Sequence, residues 1–122
     1  MSTYREDFRL EDGILYVRLS GKFPNDLLNE APNLFQPLID ACSTYKCDKA
    51  LIDATDLEVN LSTMEVFRAG DDTGSLARLH ILVAILARED MINYLFEVVA
   101  INRGANVRVF TNVDAARTWL QS

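Results

Sequence analysis

The run Ile81–Ala87, ILVAILA, constrains the fold more than any other stretch. A strand with one face in water alternates apolar and polar residues, whereas a strand covered on both faces does not. This run is apolar at every position, so His80–Ala87 predicts a central strand of a parallel sheet, covered on both sides. It is far too short to cross a bilayer, which takes about 20 residues. A second apolar run, Ala50-Leu51-Ile52, predicts another buried strand over Lys49–Ala54. Amphipathic stretches separate the two. Parallel strands joined by helices connect through right-handed crossovers, and that gives an α/β fold.

The remaining elements follow from turn chemistry and spacing. Asp12-Gly13 lies between the runs Arg5–Leu10 and Ile14–Leu19 and predicts an antiparallel hairpin. The second run carries one apolar face and one mixed face, as expected beside a sheet edge. A first helical turn with Leu27, Leu28 and Ala31 precedes a main helix over about Asn33–Thr44, with Pro37 in its early turns, where a missing N–H costs least. Ser62 opens a helix to about Arg78, weakened at Gly70 and Gly74. Arg88-Glu89-Asp90 suits the start of a helix with Met91, Leu95, Val98, Val99 and Asn102 along one side, and Gly104 suits its cap. Val107, Val109 and Phe110 form a last strand. Thr111–Asp114 starts a last helix, with Val113, Ala116 and Leu120 as its stripe and Trp119 at the border. The order β-β-α-β-α-β-α-β-α predicts a mixed sheet of four to five strands, mostly parallel, with helices packed on it.

The chain of 122 residues suits one compact domain able to bury its own core. Apolar residues at 49% and charged residues at 25% place it among globular proteins. A net charge of −6 argues against a nucleic-acid or anionic-membrane partner, since both need a basic patch. Cys42 and Cys47 form one C-x4-C pair with no histidine nearby, which is no zinc site, and they read as reduced thiols near a helix end. The charged start MSTYREDFRL has no apolar signal region, so the expected location is the cytoplasm.

Chemistry concentrates in one place, the stretch Lys49–Phe67, where a strand end, a polar loop and a helix start meet. Open α/β sheets bind ligands at such places. Asp53-Ala54-Thr55-Asp56 reads as an acidic turn there. Its two carboxylates suit a metal or acid–base pair, but turn chemistry, with Asp bonding the local backbone, accounts for them more simply. Ser62-Thr63-Met64-Glu65 has the form of a capping box. Arg88 follows the central strand and is placed to contact an anion near the Ser62 helix, or else to pair with Glu89 or Asp90. His80 is the single histidine and reads as a strand-end residue. Arg103 beside Gly104 is explained by the dipole of the helix it ends. No nucleophile–base pair, metal cluster or phosphate loop can be assembled, so no cofactor is implied and the chain reads as no enzyme.

The stretch LIDATDLEVNLSTMEVFRAG and the tail FEVVAINRGANVRVFTNVDAARTWL resemble STAS domains, the anti-sigma factor antagonist type, and within them the SpoIIAA-like small bacterial proteins. Asn102-Arg103-Gly104, Val109-Phe110, Ala115-Ala116 and Trp119-Leu120 stand in the expected order. The resemblance implies a SpoIIAA-like fold. It also implies a protein partner, an anti-sigma-factor-like kinase, that phosphorylates a serine at a helix start and is bound or released accordingly. By position that serine is Ser62, with Thr63 beside it. The family's phosphorylated motif has Asp-Ser-Ser-Gly, and here the stretch is Leu61-Ser62-Thr63-Met64. The reading is thus a non-enzymatic regulatory domain, with Asp53, Asp56 and Arg88 in the partner-binding loop. The alternative is a carrier of a small apolar or lipid-like ligand, held between sheet and helices. The helices Leu27–Cys42 and Met91–Ile101 carry apolar surface beyond one face, which points to a homodimer or to such a pocket. A large apolar pocket favours the carrier, and an exposed Ser62 beside an apolar patch favours docking.

Overall fold

The computed structural model describes residues 4–26, 33–92 and 94–122. Five strands, β1 (Arg5–Glu11), β2 (Ile14–Lys22), β3 (Lys49–Glu58), β4 (Leu82–Leu86) and β5 (Asn106–Phe110), form one sheet in the order β1-β2-β3-β4-β5. β1 and β2 pair antiparallel, and the other three pairs are parallel. The helices are α1 (Gln36–Tyr45), α2 (Thr63–Asp72), α3 (Gly74–Arg78), α4 (Tyr94–Asn102) and α5 (Val113–Gln121). The expected first turn with Leu27, Leu28 and Ala31 falls outside the described residues.

This strand order dictates the layers. When parallel strands follow one another in sequence and every crossover is right-handed, all the connecting helices fall on one face. Phe35 at the cap of α1, Leu38 and Cys42 within it, Leu76 of α3 and Ala100 of α4 accordingly join Leu15, Val17, Ala50, Ile52, Val83 and Val107 in the main core. The other face is left to α5, whose Ala116 and Leu120 pack on Ile14, Leu51, Ala84 and Leu86. The expectation for the central strand holds, since β4 sends Val83 to one core and Ala84 and Leu86 to the other. On that second face β1 and Arg18 of β2 stay polar, with the pairs Arg5–Asp7, Arg9–Glu11 and Arg18–Asp56 exposed.

Local signals set most boundaries. Asp12 and Gly13 take φ of 54° and 77°, the left-handed pair that a two-residue hairpin turn needs. Asn33 accepts from the Phe35 amide at 2.8 Å, and Pro37 sits in the first turn of α1. Asp72 accepts from the Leu34 amide at 2.9 Å, and burial raises its carboxyl above the usual range. Gly104 at φ 79° ends α4, and the Asn112 side chain caps α5 by accepting from the Ala115 amide at 3.0 Å.

Several boundaries differ from expectation. β4 starts at Leu82 rather than His80, because His80 takes φ 57° and closes the end of α3, donating its amide to Ala77 O at 3.1 Å. Glu89–Met91 forms a single 3₁₀ turn that ends at the extended Ile92, so α4 (Tyr94–Asn102) is separate from it. The Ser62 helix is two helices, broken at Thr73, whose hydroxyl donates to Gly70 O at 2.5 Å.

Gly70 itself has a packing role that its low helix propensity conceals. A Cβ there would lie 2.7 Å from Val99 Cβ and 3.1 Å from Phe96 O, so the bare backbone is what lets α2 approach α4. Arg103 at the end of α4 then pairs with Asp71 at 2.6 Å and lies 5.9 Å above the Phe67 ring. Gly70→Ala is expected to lower the unfolding free energy by about 1–3 kcal/mol in urea titration. Gly74→Ala, whose Cβ would meet nothing closer than 3.9 Å, is expected to be neutral or to gain up to about 1 kcal/mol. Equal effects from the two substitutions would contradict this account.

Candidate functional site

The acidic stretch Asp53–Asp56 is not a turn. β3 runs on to Glu58, four residues past the expected end at Ala54. Two features keep it extended. First, β2 continues beside it, pairing Ser20, Gly21 and Lys22 with Asp56, Leu57 and Glu58 after a register shift. The extra residue on β3 makes this a bulge, and Asp53 spans it by accepting from the Thr55 amide at 3.0 Å and the Thr55 hydroxyl at 2.6 Å. Asp56 pairs with Arg18 of β2. The expectation that these carboxylates serve local structure therefore holds for Asp53, though within a strand.

Second, β4 ends at Leu86, opposite Asp53, so beyond that point β3 has no paired strand on its β4 side among the described residues. Arg88 fills that gap. Its guanidinium donates to Thr55 O and, at 3.3 Å through both terminal nitrogens, to Leu57 O, while its Nε bonds Asp90 at 3.3 Å. The side chain stands in for missing strand amides, as buried or half-buried carbonyls require. Of the two readings of Arg88, the structure shows the pairing with Asp90, and the carbonyls of β3 take three further N–H groups of the guanidinium. The site rule for open sheets fails to apply as expected, since an order of 1-2-3-4-5 contains no point at which the strand order reverses.

Past β3, Asn25 donates to Asn60 O at 3.0 Å and steadies the link to α2. Ser62 is the N-cap. Its hydroxyl accepts from the Glu65 amide at 3.2 Å, and Glu65 Oε1 accepts from the Ser62 amide at 2.9 Å, completing the expected capping box. Ser62 and Thr63 are both exposed. Beside them stand Met64, 72% exposed, and Phe67, 43% exposed, while Val66, Ala69 and Gly70 form the buried side of the same helix. Met64 and Phe67 stand three apart on the outer side of α2, a spacing the sequence displays without showing which side of the helix is exposed. Val98 and Ile101 of α4 are likewise exposed, so Val98 does not line the core as its spacing suggested.

A cavity of about 470 Å³ lies between the main-core face of the sheet and α1, α2 and α4. Phe8, Leu19, Phe35, Ile52, Val66 and Phe96 are among its mostly apolar walls, and Tyr4, Glu6, Asn60, Arg88 and Asp90 supply its polar groups. Burial and the neighbouring Glu6 raise the Tyr4 phenol far above its ordinary range. Elsewhere, Cys42 is buried and Cys47 half-buried at the end of α1, both free thiols, and burial pushes the Cys42 thiol up to about 12. His80 belongs to the α3 cap. Among the described residues no group of three or more metal-ligating side chains gathers, and no helix is long and apolar enough to cross a membrane.

No protein-family model matches the sequence, and no curated protein matches it. Solved structures do. An anti-sigma factor antagonist from Mycobacterium paratuberculosis superposes with a TM-score of 0.65 at 16% identity, over 98% of this chain and 96% of that one. The chain has the SpoIIAA-like fold. A second structure with that fold, from Shewanella loihica, superposes with a TM-score of 0.57 at 16% identity, over 98% and 95% of the two chains. The mixed five-stranded sheet with its antiparallel β1–β2 pair is the sheet the STAS resemblance implied.

Within this SpoIIAA-like fold the overrun of β3 depends on Arg88. Arg88→Ala strips two carbonyls of their donors and is expected to cost about 1–3 kcal/mol of unfolding free energy. Arg88→Lys is expected to recover only part of it, because one ammonium does not reproduce a forked donor. Chemical denaturation monitored by circular dichroism reads both, and an alanine variant as stable as the native chain would contradict the role.

Proposed function

We propose that the chain is a non-enzymatic STAS-like regulatory domain that docks a protein partner through the N-terminal half of α2. The observation that carries this reading is the exposed pair Met64 and Phe67 on a helix whose cap, Ser62, is itself exposed. Large apolar side chains beside a polar rim are the usual anchors of a protein interface. The likeness of fold to an anti-sigma factor antagonist supports the same class of function. The partner is a regulatory protein of the anti-sigma-factor kinase type, and Ser62, with Thr63 beside it, is the acceptor of its phosphate.

The capping box supplies a mechanism for the switch. A phosphate on Ser62 faces the free amides of the helix start, which favour an anion. The Glu65 carboxylate already occupies that end by accepting from the Ser62 amide. Two anions then compete for one helix terminus, so phosphorylation expels Glu65 and reshapes the surface next to Met64. Asp53, Asp56 and Arg88 act behind that surface. They hold the end of β3 rather than touching the partner.

The test uses the tagged protein in extract of its own host. A partner captured by the native chain is expected to be lost, by at least about tenfold, with Met64→Glu or Phe67→Glu and with Ser62→Asp. Phosphopeptide mapping after incubation with ATP is expected to place phosphate on Ser62 or Thr63. Capture that survives both α2 substitutions contradicts the docking face. Capture that survives Ser62→Asp, or phosphate placed only elsewhere, contradicts the switch.

A further inference from the structure

We infer that the cavity between the sheet and α1, α2 and α4 binds a cationic amphiphile, an alkylammonium compound whose hydrocarbon body fills the apolar interior and whose nitrogen sits at Glu6. A volume of about 470 Å³ falls within the range of small-molecule sites, and its walls are mostly apolar. The chemistry of the ligand follows from the charges that line it. Among the described lining residues these are Glu6, Arg88 and Asp90. Arg88 and Asp90 neutralise each other at 3.3 Å, and three of the four remaining N–H groups of Arg88 are held by the carbonyls of Thr55 and Leu57.

Glu6 is different. Its recorded partner is the Tyr4 hydroxyl, which donates to Oε2 at 2.7 Å and carries no charge. The cavity therefore presents one carboxylate that no described cation balances. A fatty acid would bring a second carboxylate to it and be repelled, whereas an ammonium group is attracted. The Tyr4 ring, set edge-on to Phe23 at 5.6 Å, adds an aromatic surface of the kind that quaternary ammonium groups favour. The net charge of −6 draws cations from a distance and turns anions away. The inference does not depend on partner docking at Ser62, and its test does not involve α2.

Isothermal titration of the full chain at low salt tests it, with decyltrimethylammonium and decanoate below their micelle concentrations and decanol below its solubility limit. The expected order of affinity is ammonium, then alcohol, then carboxylate. Glu6 is exposed, so Glu6→Gln is expected to weaken the ammonium compound by only about threefold to fivefold, the size of an exposed ion pair, and to leave the alcohol unchanged. Ala54→Phe, which fills the interior, is expected to weaken all three ligands. Val59→Trp does the same from a half-buried position and serves if the strand variant fails to fold. Decanoate binding as tightly as the ammonium compound, an ammonium affinity untouched by Glu6→Gln or by filling the cavity, or no binding of the ammonium compound would each overturn the inference.

Discussion

The structure depends on the order of its strands. β2 to β5 lie side by side in the order in which the chain makes them, all parallel. Right-handed crossovers then force three connections onto one face of the sheet. That face is crowded, and α2 and α4 fit on it because the bare Gly70 backbone leaves room for the Val99 side chain and the Phe96 carbonyl. The opposite face has one helix to cover it, α5, which reaches Ile14 and Leu51 but leaves β1 bare. β1 answers with alternating charge on its open side, Arg5, Asp7, Arg9 and Glu11, which also keeps an edge strand from pairing with another chain.

Unequal strand lengths add the second constraint. β3 is ten residues long and β4 five, so the end of β3 leaves the sheet with a partner on one side only. The chain compensates with side chains. Arg88 takes the carbonyls that a longer β4 would have taken, Asp53 braces the bulge, and Arg18 reaches across to Asp56. The residues that look most like catalytic acids and an anion-binding cation are thus the means by which a strand is carried to the foot of the Ser62 helix. What that platform displays is apolar, Met64 and Phe67 beside an exposed serine, and the proposed docking rests on that surface.

Much of this was legible in the sequence because it rests on local rules. The Asp12-Gly13 turn, the Ser62 capping box, the Gly104 cap and the uninterrupted apolar run of β4 each depend on residues within a few positions of one another. The misreadings share the opposite character. Asp53–Asp56 has the composition of a turn, and only the neighbouring β2 and the distant Arg88 make it a strand. Gly70 reads as a flaw in a helix until Val99 is seen against it. Arg103 reads as a dipole partner, although it pairs with Asp71 on another helix. The exposed Met64 and Phe67 were visible as apolar residues three apart, but their exposure depends on which side of α2 meets α4.

The proposed docking surface stands on the overrun of β3, and amide hydrogen exchange measures the rigidity of that platform directly. The segment from Asp56 to Glu58 is expected to exchange as slowly as Ser20–Lys22 of β2, with which it pairs. If that segment exchanges as fast as an open loop while β4 stays protected, β3 ends where its composition first suggested, and the platform beneath Ser62 does not exist.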